Sequence, residues 1–436
     1  MKGLYEKYCG CNYRVNTDSR VIEGGEIFFA LRGENFDGNA YAMKALQDGA
    51  RWAVVNRDAD LPEDERLIKV DDPFTTLQQL AVYHRNHVLE GRRLPVIGLT
   101  GTNGKTTTKE LISAVLARKF KVTATQGNLN NDIGVPLSLL KITPETQIAV
   151  IEMGASHPDD IAKLVQVSQP DYGLITNVGR AHLLGFGSFE GVKAAKGELY
   201  KYLSSRNGSV VFLNNDDLEL RSMSVAWVKS HIWPYGVRYD GARVLETSPQ
   251  KPFLRIRLKD GTTVCTNLVG SYNASNVMAA LAVGRYFGVP DADAVAAVQE
   301  YVPKNNRSQL QRSACNTLIV DAYNANPTSM GAALDNFGAM NAASKLALLG
   351  DMRELGEESL NEHRKIVRRL HEENIPAIVV GEEFGKALKA EGLELQGWFE
   401  TSDALASFLE QHPVKDSAVL IKGSRGIRME KVIEKL

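Results

Sequence analysis

Leu94-Pro95-Val96-Ile97-Gly98-Leu99-Thr100-Gly101-Thr102-Asn103-Gly104-Lys105-Thr106-Thr107-Thr108 reads as an apolar strand, a glycine-rich turn and the opening of a helix. The helix is marked by Leu111 and Val115, and by Ile112 and Leu116, apolar pairs four residues apart. Gly-Lys-Thr between a strand and a helix is the context a phosphate-binding loop requires. Glycine lets backbone N–H groups turn inward, the helix N-terminus supplies positive potential, and Lys105 adds a point charge. Gly101, Thr102, Asn103, Gly104, Lys105, Thr106 and Thr107 are therefore the candidate nucleotide-binding residues, with the Thr106 hydroxyl suited to a bound magnesium. The usual spacing would put glycine at 99. The chain has Leu99, with Gly98 one place earlier, which argues against a generic motor or GTPase. A glycine-rich turn of purely structural use is the alternative.

Outward from this loop, apolar runs alternate with amphipathic segments: Ile148-Ala149-Val150-Ile151, Tyr172-Gly173-Leu174-Ile175-Thr176 and Val210-Val211-Phe212-Leu213. The alternation predicts a mainly parallel sheet covered by helices. Two acceptors follow the ends of such strands, where ligands gather in open α/β sheets: Glu152 and His182. Either could be an ordinary strand-end residue, and imidazole is not a typical magnesium ligand. Residues 225–268 have shorter, alternating segments and predict an antiparallel ribbon at the sheet edge. A second series opens at Thr317-Leu318-Ile319-Val320-Asp321 and continues through Leu346–Leu349, Ala377–Val380 and Val419–Ile421. Helical patterns at Asn361–Glu373 and from a Ser402 cap to Glu410 separate these strands, which predicts a doubly wound fold.

Upstream, residues 1–90 carry a polar glycine-rich loop, 32–38, between the apolar runs Ile27–Leu31 and Trp52–Val55. A basic, helix-like stretch from Tyr83 to Arg93 leads into the phosphate-loop strand. The expected organisation is α/β in three domains: 1–90, a small α/β substrate domain; 91–312, a central phosphate-loop domain; and 313–436, a Rossmann-like doubly wound domain. A length of 436 residues fits that count.

With 44% hydrophobic and 24% charged residues the chain has enough apolar side chains for several cores. A formal charge of -1 supplies no global field toward nucleic acid or an anionic membrane, so neither is an expected partner. Cys9, Cys11, Cys265 and Cys315 lack zinc or redox spacing and read as reduced, buried thiols. Residues 1–20 have no apolar leader core and no later run is long enough to span a bilayer, so a cytoplasmic location is expected.

Several further motifs resemble the Mur ligase family of cell-wall enzymes, and the likeness runs from the first domain to the last. They are Thr17-Asp18-Ser19-Arg20, Gly127-Asn128-Leu129-Asn130-Asn131-Asp132, Glu152-Met153-Gly154, Asp321-Ala322-Tyr323-Asn324-Ala325-Asn326-Pro327, Gly350-Asp351-Met352-Arg353-Glu354-Leu355-Gly356 and Lys422-Gly423-Ser424-Arg425-Gly426. Within the family they look most like the member that adds D-alanyl-D-alanine to a UDP-muramyl tripeptide. The resemblance implies that Ser19, Arg20, Gly33 and Asp37 lie near the uridine diphosphate, and that Asn128, Asn130, Asn131, Asn324 and Asn326 contact substrate. It implies Asn273 and Asn276 near adenine, Arg307 on phosphate and Asp321 on ribose. Two positions depart from the usual pattern: Tyr272 stands where many relatives carry histidine, and the phosphate arginine lies in Asn306-Arg307-Ser308-Gln309.

The implied reaction is ATP-dependent formation of an acyl phosphate on the tripeptide, which the dipeptide amine then attacks. Lys105, Glu152, His182 and Lys196 are the implied catalytic residues. Two magnesium ions are expected, held by Thr106 and Glu152 and by Glu152, His182 and a carbamylated Lys196. A monomer is expected. The alternatives are the related ligase that adds the third amino acid, and a regulator that binds nucleotide on the same fold without turnover.

Overall fold

The computed structural model describes residues 1–89, 91–247, 251–304 and 306–436. Its architecture is mixed α/β with mainly parallel sheets. The N-terminal sheet is parallel, in the order Val15–Asn16, Ile27–Phe29, Trp52–Asn56, Leu67–Val70. The 32–38 loop folds as a two-stranded antiparallel ribbon that leaves Arg32, Gly33, Phe36 and Asp37 exposed.

Helix Pro73–His87 joins this sheet to the next one. It starts where Asp72 accepts from the N–H groups of Phe74 and Thr75 at 3.1 and 3.0 Å, with Pro73 in the first turn, where its missing N–H costs nothing. Its Leu77, Leu80 and Ala81 enter one core with Val135, Leu139, Ile161 and Leu164, so apolar packing is continuous past residue 90. The basic stretch expected at 83–93 is only partly solvated. His84 and Arg85 are buried, and Arg85 donates to Asp171 at 2.9 Å and to the Gln169 carbonyl at 2.8 Å.

His84 makes this junction sensitive to acid. Its Nε2 lies 2.8 Å from the Ile142 carbonyl and therefore carries the proton, while Nδ1 faces the Tyr5 hydroxyl at 3.3 Å. The rings of Tyr5, Tyr8 and Tyr13 close around it. Burial pushes its pKa down from 6.5 to about 4, against the bond to Ile142. Below 6.5 the unfolded chain takes up a proton that the native site refuses. This contribution to stability is thus intact above pH 6.5 and falls as pH drops from 6.5 to 4, by on the order of 3 kcal/mol. In thermal unfolding across that window, His84→Gln flattens the pH slope; an unchanged slope would place the titration elsewhere.

The central sheet has six parallel strands in the order His231–Tyr235, Val210–Asn214, Tyr172–Ile175, Val96–Thr100, Ile148–Glu152, Val122–Ala124. Val96–Thr100 lies inside the sheet; its connection runs to Val122–Ala124 on one side, whereas that of its neighbour Tyr172–Ile175 runs to Val210–Asn214 on the other. The carboxyl end of Val96–Thr100 is a topological switch point, where open α/β sheets bind ligands. The ribbon expected over 225–268 is resolved into two parts. His231–Tyr235 is a parallel edge strand, and a separate antiparallel sheet forms from Arg243–Leu245, Arg255–Arg257 and Thr263–Cys265. Short alternating segments do not distinguish these pairings, because the difference depends on which partner edge is free.

The last sheet runs Gln309–Arg312, Thr317–Asp321, Ala418–Lys422, Lys345–Gly350, Ala377–Val380, Gly397–Phe399, parallel except for its first strand. Gln309–Arg312, assigned by sequence to the central domain, pairs antiparallel with Thr317–Asp321 and so joins the C-terminal sheet. Apolar clusters cover both faces of this sheet, as a doubly wound fold requires. The helix expected to be capped by Ser402 is capped by Thr401, whose hydroxyl accepts from Ala404 N–H at 3.2 Å. All four cysteines are free; Cys11 is buried, whereas Cys265 and Cys315 are exposed, contrary to expectation. Among the described residues no helix is long and apolar enough to cross a membrane.

Candidate active site

Gly104 precedes helix Lys105–Leu116 with φ +78°, a conformation that disfavours other residues, and a Cβ there would press into the Asn276 carboxamide at 2.7 Å. Asn276 is held in turn. Its Oδ1 accepts from the Thr108 hydroxyl at 3.0 Å, its Nδ2 donates to Asn273 Oδ1 at 2.9 Å, and Asn273 donates to the Val269 carbonyl at 2.8 Å. The two asparagines therefore buttress the loop from behind while also facing the cavity. On the other side Asn177 grips Asn103, accepting from its N–H and donating to its carbonyl, each at 3.0 Å. Lys105 Nζ folds back onto the carbonyls of Gly101 and Thr102 at 2.7 and 3.1 Å. Burial pushes its pKa down to about 8, against the attraction of Glu152.

Glu152 ends its strand almost fully buried. Its Oε1 accepts from Asn130 Nδ2 at 2.8 Å and lies 3.3 Å from the Thr106 hydroxyl. Its Oε2 has no hydrogen-bond partner among the described residues, and Lys109 Nζ stands 4.0 Å away. A buried carboxylate oxygen left open beside a phosphate loop has the donor chemistry of a magnesium site. Lys109, one helical turn after Lys105 and itself buried, is a charge that sequence reading missed; its place on the inward face of the helix was the available signal.

Across the cavity, three adjacent strands of the C-terminal sheet end together. Asp321 and Lys422 are register partners and form an ion pair at 2.6 Å, and Lys422 also donates to the Asn324 carbonyl at 3.1 Å. Asp321 further accepts from Ser308 N–H at 3.2 Å. Asn326 caps helix Pro327–Ala339, and its Nδ2 donates to Asn103 Oδ1 at 2.8 Å, tying the phosphate loop to the last domain. His182, in a left-handed backbone conformation at φ +51°, sets its Nδ1 2.5 Å from Glu354 Oε2. Glu354, Lys422 and Ser424 are absent from the site residues chosen by sequence, although the motifs that carry them were recognised.

These elements enclose a cavity of about 840 Å³. Thr102–Thr107, Asn128, Asn130, Asn131, Glu152, His182, Asn273, Asn276, Arg307, Asp321, Asn324 and Asn326 line it together. Gly101 contributes its carbonyl to Lys105 from below. Ser19, Arg20, Gly33 and Asp37 are not part of the lining; Arg20 is paired with Asp18 at 2.7 Å and Asp37 with Arg32 at 3.1 Å. Lys196 lies outside the lining as well, buried in helix Phe189–Ser204. Its ammonium makes no hydrogen bond or ion pair with a described residue and sits 5.7 Å from the centre of the Phe186 ring. Burial, then the charge of Lys105, holds its pKa well below the usual lysine value.

A nucleotide-type loop facing a second α/β domain across one cavity, with a carboxylate between them, defines a ligase-like site. The chain matches the Mur ligase family catalytic domain over residues 13–90, the Mur ligase middle domain over 99–284 and the Mur ligase glutamate ligase domain over 306–425. It belongs to the Mur ligase family. Among its relatives, the UDP-N-acetylmuramoyl-tripeptide--D-alanyl-D-alanine ligase of Bacillus subtilis (strain 168) is 33% identical, the alignment covering 97% of this chain and 92% of that one. The enzyme of the same name from Escherichia coli (strain K12) is 32% identical over 97% and 93%. A crystal structure of MurF from Acinetobacter baumannii superposes with a TM-score of 0.84 at 32% identity, over 97% of this chain and 93% of that one. MurF from Thermotoga maritima in complex with ADP gives 0.81 at 27%, over 97% and 96%.

Proposed function

We infer that the protein is an ATP-dependent ligase that joins D-alanyl-D-alanine to UDP-N-acetylmuramoyl-tripeptide, giving the pentapeptide precursor of peptidoglycan. The observation that carries this reading is the single cavity bounded by the phosphate loop, the Asn128–Asn131 loop and the three strand ends of the C-terminal sheet. One domain each for the UDP-sugar (1–90), ATP (from 91 up to the strand Gln309–Arg312) and the dipeptide (from that strand to 436) fits that arrangement. Ser19, Arg20, Gly33 and Asp37 are outside the cavity lining, and this reading assigns them to the UDP end of a long substrate. The tripeptide alone, when extended, spans about 10 Å.

A carboxylate and an amine do not condense in water without activation. The tripeptide carboxylate oxygen attacks the γ-phosphorus of ATP, ADP departs, and an acyl phosphate forms. The dipeptide amine then attacks the acyl carbon, phosphate leaves with the bonding electron pair, and the nitrogen loses its proton. The first step brings two anions together, so charge neutralisation and positioning dominate the catalysis. In this reading Lys105 and Arg307 supply positive charge at the phosphates, Asp321 takes the ribose, and Asn273 and Asn276 take the adenine side. Thr106 and the open Oε2 of Glu152 would hold a magnesium ion, with Glu152, His182 and a carbamylated Lys196 around a second. When bound, magnesium neutralises phosphate charge. The contacts Asn326 to Asn103 and Glu354 to His182 hold the last domain over the loop, which keeps water from the acyl phosphate.

Phosphate release from ATP is expected to require both UDP-N-acetylmuramoyl-tripeptide and D-alanyl-D-alanine. In competition the dipeptide is ligated in preference to free lysine or diaminopimelate. Ligation of the single amino acid without the dipeptide would assign the chain to the step before this one, and nucleotide binding without turnover would make it a regulator.

A further inference from the structure

We propose that His363, which lies outside the cavity, is a positioning residue: it sets the 351–354 loop and, through Glu354, seats His182 where the last domain meets the central one. The proposal rests on the functional reading above and adds to it a residue that couples ATP use to ligation. Met352 and Leu355 are buried in the core of the C-terminal domain, while Arg353 and Glu354 between them line the cavity. Glu354 has φ +64° and His182 φ +51°, left-handed conformations that a residue with a side chain adopts where its surroundings impose them. Glu354 Oε2 stands 2.5 Å from His182 Nδ1, and the Glu354 carbonyl accepts from Leu184 N–H at 3.3 Å. The contact between the two domains therefore depends on the path of this one loop.

The loop's backbone is held at each residue before Glu354. Asp351 N–H donates to the Val380 carbonyl at 2.9 Å, and the Asp351 carboxylate accepts from the N–H groups of Glu383 and Phe384 at 3.0 and 2.9 Å. Met352 N–H donates to His363 Nε2 at 3.0 Å, and Arg353 N–H to the Ser424 hydroxyl at 2.9 Å. The bond to Met352 is the one that needs histidine. His363 is fully buried in helix Ser359–Glu372, with Nδ1 2.7 Å from the Ser359 carbonyl one turn back. Nδ1 therefore carries the proton, and Nε2 is left as an acceptor. Burial lowers the pKa of His363, against the bond to Ser359 and the attraction of Asp351, and keeps the ring neutral. The ring also stands edge-on to Phe384, centroids 4.7 Å apart. A ring kept only for this packing would serve as well without nitrogen. A ring kept for its acceptor would not, because the buried Met352 N–H would lose its partner and the loop would shift to satisfy it. A shifted loop withdraws Glu354 from His182 and opens the cavity to water, which competes with the dipeptide amine for the acyl phosphate.

The test measures phosphate released per pentapeptide formed, and phosphate released with ATP and UDP-tripeptide when D-alanyl-D-alanine is left out. His363→Phe keeps a ring and removes the acceptor, whereas His363→Gln removes the ring and brings a carboxamide oxygen to the place of Nε2. His363→Phe lowers kcat for ligation about tenfold and raises dipeptide-independent phosphate release, with KM for ATP within about twofold. His363→Gln retains most of the coupling. Glu354→Ala, at a side chain 61% exposed, gives the same uncoupling as His363→Phe with an unchanged melting temperature. Adding His363→Phe to Glu354→Ala changes the coupling by less than about twofold, since both act on one contact. Glu354→Ala decides the matter even where His363→Phe lowers stability. Full coupling in Glu354→Ala, equal damage in His363→Gln and His363→Phe, or effects that add independently would each overturn the proposal. An unmodified enzyme that forms no pentapeptide would overturn the functional reading itself.

Discussion

Lys105→Ala abolishes ligation, by about 10³-fold or more in kcat, and leaves binding of UDP-N-acetylmuramoyl-tripeptide within about threefold. The argument is geometric. Nζ is held over the loop by the carbonyls of Gly101 and Thr102, at 2.7 and 3.1 Å, and both bonds are ones a phosphate can replace. Burial lowers the pKa of Lys105, and an arriving phosphate group gains a strong charge-assisted contact with the ammonium and raises that pKa again. The proposed UDP-binding residues Ser19, Arg20, Gly33 and Asp37 lie on another sheet and outside the cavity, so the substitution does not touch them. Calorimetry with the UDP-substrate, beside a turnover assay, checks both halves. Parallel loss of binding and turnover would mean that the fold was damaged or that the division of sites between domains is wrong.

Lys196→Ala is expected to lose most activity and to regain part of it when a small carboxylate such as formate is added, whereas Lys193→Ala is nearly silent. Lys193 is tied on the outside of the same helix, 2.8 Å from Glu219. Lys196 is buried with no described partner for its amine, and burial together with Lys105 favours the uncharged form. An uncharged amine can attack carbon dioxide and lose a proton, giving a carbamate whose oxygens suit magnesium. An amine buried only for packing would give loss without rescue. Rescue by formate in Lys196→Ala but not in Lys105→Ala separates a missing ligand from a damaged site, and full activity in Lys196→Ala would remove the residue from the mechanism.

The strands of the C-terminal domain were legible because continuous apolar runs are how strands buried on both faces appear in sequence: Thr317–Asp321 is observed as read, and Ala377–Val380 likewise. The region after Val225 was less legible because alternation over three residues is shared by edge strands and isolated ribbons, and only the partner decides between them. In the basic Tyr83–Arg93 stretch the burial of a charge was not legible, because Asp171, remote in sequence, supplies the partner that lets Arg85 stay buried.

The sequence alone determined the local chemistry: a phosphate loop needs glycine and Lys105 at set spacing, Asn326 with Pro327 opens a helix, and Glu152 ends a strand, all of which depend on neighbours a few residues away. Only the tertiary structure decided what these groups meet. It turned Asn273 and Asn276 into supports for Gly104 and gave Glu354 to His182. Among the described residues it also left Oε2 of Glu152 without a hydrogen bond and the amine of Lys196 without a hydrogen bond or ion pair. The physical reason is that pairing and desolvation depend on distance in space, and residues such as Asn103 and Asn326, 223 positions apart in the chain, come within hydrogen-bond range only when two separate sheets close on one cavity.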